Sequence, residues 1–188
     1  PARMAEEGEP ETPAYGTAPA GHSLAWMDIK LSEIKDFMQI DKPDAALTFV
    51  ATKFSLTDYE TNAKNAILVD FYLWILMFCK ERGFNEEKTS AAFTIVKLTH
   101  EFALKGGKTV QDSFAEYKRL VLNHSLAGVG NAVVLFTPQD VAELTKFVTS
   151  TYMQHYRLYQ YANTHVQDKD QHVTHLFVDT AAAPPPLR

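Results

Sequence analysis

Cysteine is nearly absent: the 188-residue chain has one, Cys79, so no internal disulfide can brace it. Such usage is expected of a reducing compartment. Long apolar runs are missing as well. The nearest candidate, residues 66–79, is interrupted by Asp70 and falls short of the roughly 20 apolar residues that a membrane helix needs. The N-terminal stretch is acidic and lacks the apolar centre of a secretory leader. Basic charge is in deficit, with 18 Lys and Arg against 23 Asp and Glu and a formal net charge of −5. Affinity for phosphate backbones needs the opposite balance, which argues against a nucleic-acid binder. These absences predict a soluble, intracellular protein with neither a membrane nor a nucleic acid among its partners.

What is present suffices for one packed domain. Hydrophobic residues make up 46% of the chain and aromatic residues 12%, enough for a single core of ordinary size. Composition divides the chain into residues 1–23, 24–162 and 163–188. The first segment holds four of the nine prolines and sets Arg3 against Glu6, Glu7, Glu9 and Glu11. It cannot bury enough apolar surface to offset its ordering entropy, so a low-complexity acidic tail is expected. The run MAEEGEPE from Met4 reads as a natural start, with Pro1 to Arg3 upstream of it. The last segment is polar, apart from an apolar patch at Leu176, Phe177 and Val178, and closes in AAAPPPLR. Both tails are expected to be disordered or ordered by a partner.

The middle predicts an all-α bundle of five or six helices. Ser32 is a plausible cap for a short first helix, and Asp41 with Pro43 opens a second. Thr57 and Glu60 have capping-box spacing, predicting a third helix from Thr57 to Arg82 that stops at Gly83. That helix contains AILVDFYLWILMFC, apolar almost all round, and is expected to be the central one. Asn85 caps a fourth helix to Lys105, ended by Gly106-Gly107, and Thr109 with Asp112 starts a fifth. A loop spans residues 124–136, with Val133, Val134, Leu135 and Phe136 expected to fold back onto the core. Thr137-Pro138-Gln139-Asp140 is a strong start signal for a last helix reaching Ala162. No heptad seam lasts three or four heptads, so a long coiled coil is not expected.

Reaction chemistry finds little support. His100-Glu101 begins an HExxH-like pattern, but Leu104 stands where the second histidine belongs. His165, His172 and His175 lack the three or four preorganised ligands of a zinc site. Cys79, in the most apolar helix, reads as a small buried hydrophobe rather than a nucleophile. Gly128-Val129-Gly130-Asn131 has neither the lysine of a phosphate loop nor the third glycine of a dinucleotide fingerprint. Asp70 either faces water or meets a cation such as Lys64, Lys97 or Arg119, because an unpaired buried carboxylate is costly. No catalytic residue, metal, cofactor or small-molecule substrate is therefore expected. A cryptic enzyme would require a closed polar pocket near Asp70 or His100.

Interaction chemistry is better represented. The last helix ends in TYMQHYRLYQYAN, where Tyr152, Tyr156 and Tyr159 recur at spacings of four and three and share one face. Tyrosine and arginine are enriched at interaction hot spots. Tyr152, His155, Tyr156, Arg157, Tyr159 and Tyr161 are thus candidate partner-binding residues, with Leu176 and Phe177 of the tail. The competing reading is that the tyrosine face packs on the bundle with its hydroxyls reaching water.

The segment ILVDFYLWILMFCKERGFNEEKTSAAFTIVKLTHEF, followed by LFTPQDVAELTKFVTSTYMQHYRLYQYA, resembles a ciliary family. The family is that of the cilia- and flagella-associated protein of number 119 type, also called coiled-coil domain-containing protein 189. The likeness runs over residues 57–162, and GFNEEKTSAAFTIVKLTHE is its most distinctive stretch. It implies a non-enzymatic structural subunit of the axonemal central apparatus, in the "a" projection of the first central microtubule. Scaffold proteins and calmodulin share that projection, and no active-site residues come with the family. The alternative is a soluble helical adaptor that captures an amphipathic partner helix in a groove.

Overall fold

The structure, a computed structural model, describes residues 23–125 and 134–164. They form α1 (Leu31–Met38), α2 (Pro43–Lys53), α3 (Ala63–Glu81), α4 (Glu86–Leu104), α5 (Val110–Leu122), α6 (Pro138–Thr151) and α7 (Tyr156–Thr164). A 3-10 turn, Met153–His155, joins the last two. No strand occurs among the described residues, and the fold is the all-α bundle that the helical spacing predicts. The last helix is broken at Tyr152 rather than continuous. The two tails and the glycine-containing 128–131 segment lie outside the described residues.

Most helix ends follow the capping chemistry. The Asn85 side chain accepts the Lys88 backbone N–H at 2.8 Å. Thr109 with Asp112 and Thr137 with Asp140 form reciprocal capping boxes. At the end of α3, the Gly83 N–H reaches Lys80 O and the Phe84 N–H reaches Cys79 O, with Gly83 at φ 65°. This is a Schellman closure, and the Phe84 ring meets Phe78 across it at 5.9 Å.

Two starts differ from expectation. Ser32 lies inside α1. The cap position is Lys30, whose backbone N–H donates to the Glu33 carboxylate at 2.8 Å. Helix α3 begins at Ala63, not Thr57, and Asn62 caps it by accepting the Lys64 and Asn65 N–H groups. Residues 57–61 form turns instead. Asp58 decides the matter: its carboxylate accepts from the Asn62 and Asn65 side-chain amides at 3.1 and 2.6 Å, holding a compact turn that competes with helix.

The central helix is α4 rather than α3. It packs against α1, α3, α5 and α7, and residues 89–96 are buried without a break. Several of these are small or hydroxylic, which lowers their hydropathy but not their fitness for a crowded interior. Thr89 and Thr99 donate to carbonyls four residues back, Asn85 O at 2.9 Å and Ile95 O at 2.8 Å. Ser90 donates to Ile29 O at 3.0 Å and accepts the Trp26 N–H at 2.7 Å. Helix α3, despite its composition, keeps an exposed stripe containing Asp70 and Trp74.

His124 ties the chain's distant parts together. Its Nδ1 lies 2.8 Å from Leu120 O and its Nε2 accepts the Leu24 N–H at 3.0 Å, which fixes the neutral tautomer. Its carbonyl accepts the Leu135 and Phe136 N–H groups. Leu24 and Phe136, both buried in the core, are thereby tied to the end of α5. Val134, expected to fold inward, is instead 57% exposed.

Candidate docking surface

The Thr137-Pro138 start sets the phase of α6, which carries Leu144, Val148 and Tyr152 inward. The 3-10 turn then advances the chain so that Met153 and Tyr156 also face the core. Tyr152 and Tyr156 are 1% and 4% exposed, so both belong to the interior and offer no surface to a partner in this fold. Packing on the bundle, the competing reading of the tyrosine face, describes these two side chains.

Their hydroxyls are used internally. Tyr152 Oη lies 3.1 Å from Nδ1 of the buried His100. Tyr156 Oη donates to Lys108 O at 3.1 Å, lies 2.9 Å from Ser113 Oγ and accepts from Gln160 Nε2 at 3.1 Å. Gln160 also donates to Ala103 O, so α7 is clamped to the end of α4. Phe71 of α3 sits at the centre of the ring cluster, with centroids 5.0 Å from His100 and 5.3 Å from both Tyr152 and Tyr159.

Burial governs the titration of this cluster. His100 is held neutral, its pKa lowered to about 4 by desolvation. Its Nε2 has no hydrogen-bond partner among the described residues, and the Tyr159 ring stands edge-on to the imidazole at 5.9 Å between centroids. Desolvation raises the Tyr159 phenol, and the Asp70 carboxylate raises it further. Burial also pushes the Cys79 thiol up, away from the reactive thiolate. Asp70 itself faces water rather than Lys64, Lys97 or Arg119. Lys97 is engaged elsewhere, with Asp28 at 2.7 Å and Glu101 at 3.0 Å.

The remaining candidates separate onto two surfaces. Tyr159, half-buried, and His155, exposed, edge a groove between α3 and the α6–α7 break. It has a volume of about 240 Å³ and is lined chiefly by Phe71, Trp74, Phe147, Thr151, His155 and Tyr159. Trp74 stands 65% exposed at its lip. Arg157 and Tyr161 face the other side of α7, towards the α4–α5 turn. Leu158, 67% exposed, accompanies them. Leu176 and Phe177 lie outside the described residues.

Trp74 is the residue that the sequence reading passes over. A signal existed: Asp70 marks the wet edge of α3, and Trp74 lies four residues on, along the same edge. An indole left in water beside an apolar groove is characteristic of an interaction anchor.

The family model CLAMP, described as flagellar C1a complex subunit C1a-32, matches residues 75–171. The match begins within α3, one residue after Trp74, runs through α4, α5, α6 and α7, and spans just over half of the chain. It agrees with a central-apparatus reading of the ciliary resemblance. No described helix is long and apolar enough to cross a membrane. The chain belongs to the CLAMP family of flagellar C1a complex subunits, which makes it a structural component of the axoneme of cilia and flagella.

Proposed function

We propose that this chain is a non-enzymatic docking subunit of the C1a projection, of the cilia- and flagella-associated protein of number 119 type. Its helical domain holds a neighbouring central-apparatus subunit through the groove at Trp74. The observation that carries this reading is the indole, 65% exposed at the lip of an apolar groove whose walls come from α3, α6 and α7. A well-packed bundle gains nothing from leaving its tryptophan in water, whereas a partner gains a large rigid contact. A cryptic enzyme would have to draw its acid or base from His100 or Asp70. His100 meets Tyr152 among rings, and Asp70 lies on the solvent face of α3.

Trp74→Ala tests the proposal in ciliated cells lacking the endogenous chain. The purified variant keeps its melting temperature within a few degrees, because an exposed side chain is removed. Its retention in axonemes washed with moderate salt falls several-fold. Wild-type retention of the variant would overturn the assignment of the groove.

A further inference from the structure

We infer that the opposite side of α7, with the α4–α5 turn, is a second docking surface, and that it takes an acidic segment of another protein bearing an apolar side chain. The inference rests on the docking role proposed above but on different residues. Residues 103–111 and 153–164 carry Lys105, Lys108 and Arg157 and contain no Asp or Glu, in a chain with an overall acidic excess. Lys108 and Arg157 therefore give this side of α7 local positive charge in an acidic chain.

Asp112 adjoins this surface, and the Lys108 ammonium acts on its carboxylate. Asp112 accepts from the Thr109 backbone N–H at 3.0 Å and its hydroxyl at 2.8 Å. Glu101 pairs with Lys97. The Lys108 ammonium rests 4.8 Å from the Phe102 ring centroid, an arrangement that steadies the charge without cancelling it. Arg157 is exposed and lines two shallow clefts. One, of about 460 Å³, includes Lys108, Thr109, Val110 and Tyr156. The other, of about 360 Å³, runs over Gly106 and Gly107 beside Tyr161. A Cβ at either glycine would meet nothing within 4 Å among the described residues.

Leu158 and Tyr161, 67% and 64% exposed, stand among the cations. Charge alone would suit any polyanion. Charge interleaved with exposed apolar side chains suits a peptide that brings both carboxylates and a hydrophobic residue. The net −5 of the chain disfavours nucleic acid at the same place. Two surfaces on opposite sides of one short helix allow the subunit to bridge two neighbours.

The test is fluorescence anisotropy with the full chain and a labelled Glu-Glu-Leu-Glu-Glu-Phe peptide, at low and moderate salt. The expected result is saturable binding that weakens with salt. Lys108→Glu with Arg157→Glu weakens it about tenfold or more, and Leu158→Ser also weakens it. The charge variant melts like the wild type, and Trp74→Ala binds the peptide unchanged. The inference is overturned by an absence of saturable binding or by equal binding of the charge-reversed variant. It is also overturned if an all-glutamate peptide, single-stranded RNA or phosphatidylserine vesicles bind as tightly. Peptide failure with Trp74-dependent axonemal retention intact would remove this surface and leave the groove.

Discussion

Single residues in this domain divide by what burial does to them. His100 and His124 are both buried and both held neutral, with lowered pKa values. In the unfolded chain each binds a proton near its ordinary value, so acidification favours unfolding. For His100 the contribution is complete above about pH 6.5 and is lost as pH falls towards about 4. The full loss is about 3 kcal/mol from this one group. Urea unfolding from pH 7.5 down to 4.5 should therefore show a steady fall in stability. His100→Gln should flatten the curve partly, His124 supplying the remainder. A flat wild-type curve would contradict a neutral buried His100. Phe71, which touches His100, Tyr152 and Tyr159, is the packing residue on which α7 depends. Phe71→Ala should cost about 3–5 kcal/mol in chemical denaturation. At this scale the sequence was a partial guide. Tyrosine spacing marked the α7 region, but a tyrosine is equally fit for core and surface, and only the fold assigns Tyr152 and Tyr156 inward. Trp74 was hidden for the opposite reason: it sits in a run so apolar that burial looked general.

At the scale of elements, local chemistry was read well wherever side chains and backbone agree. Gly83, Asn85, Thr109 and Thr137 end or begin helices as their chemistry dictates. Thr137→Ala should cost about 1 kcal/mol, and Gly83→Ala a similar amount, because Gly83 holds φ 65°. The failure at Thr57 shows where such reading stops. Thr57 and Glu60 have correct spacing, yet Asp58 is drawn to Asn62 and Asn65, and the cap moves on. Two variants separate the alternatives in urea melts. Asn62→Ala should lose about 1 kcal/mol, whereas Thr57→Ala should change stability by less than about 0.5 kcal/mol. Equal losses would restore the earlier start. The centrality of α4 was obscured because its interior uses Thr, Ser, Ala and His; the Thr89, Thr99 and Ser90 hydroxyls are satisfied by carbonyls on the helix itself or on the 23–29 segment, while Thr94 Oγ1 has no partner among the described residues. Hydropathy counts such residues as polar; the bundle treats them as small.

At the scale of the whole molecule, the fold is a helical bundle with its proposed docking surfaces on and around α7. The Trp74 groove faces one way and the Arg157 clefts another. Fold class was legible because helical period, caps and breakers agree along most of residues 31–164. Which surfaces are offered to partners was not legible, because that depends on how α3, α6 and α7 meet. Membership of a flagellar C1a subunit family gives these surfaces an assembly in which to act. The most direct measurement is oxidative footprinting of tryptophan, read by mass spectrometry, on the purified chain and on intact axonemes. Trp74 is 65% exposed and Trp26 is 38% exposed, so one chain supplies both the reporter and an internal reference. A docking role at the groove predicts rapid oxidation of Trp74 in the isolated protein and protection of several-fold, relative to Trp26, in the axoneme. Equal oxidation of Trp74 in both states would contradict it.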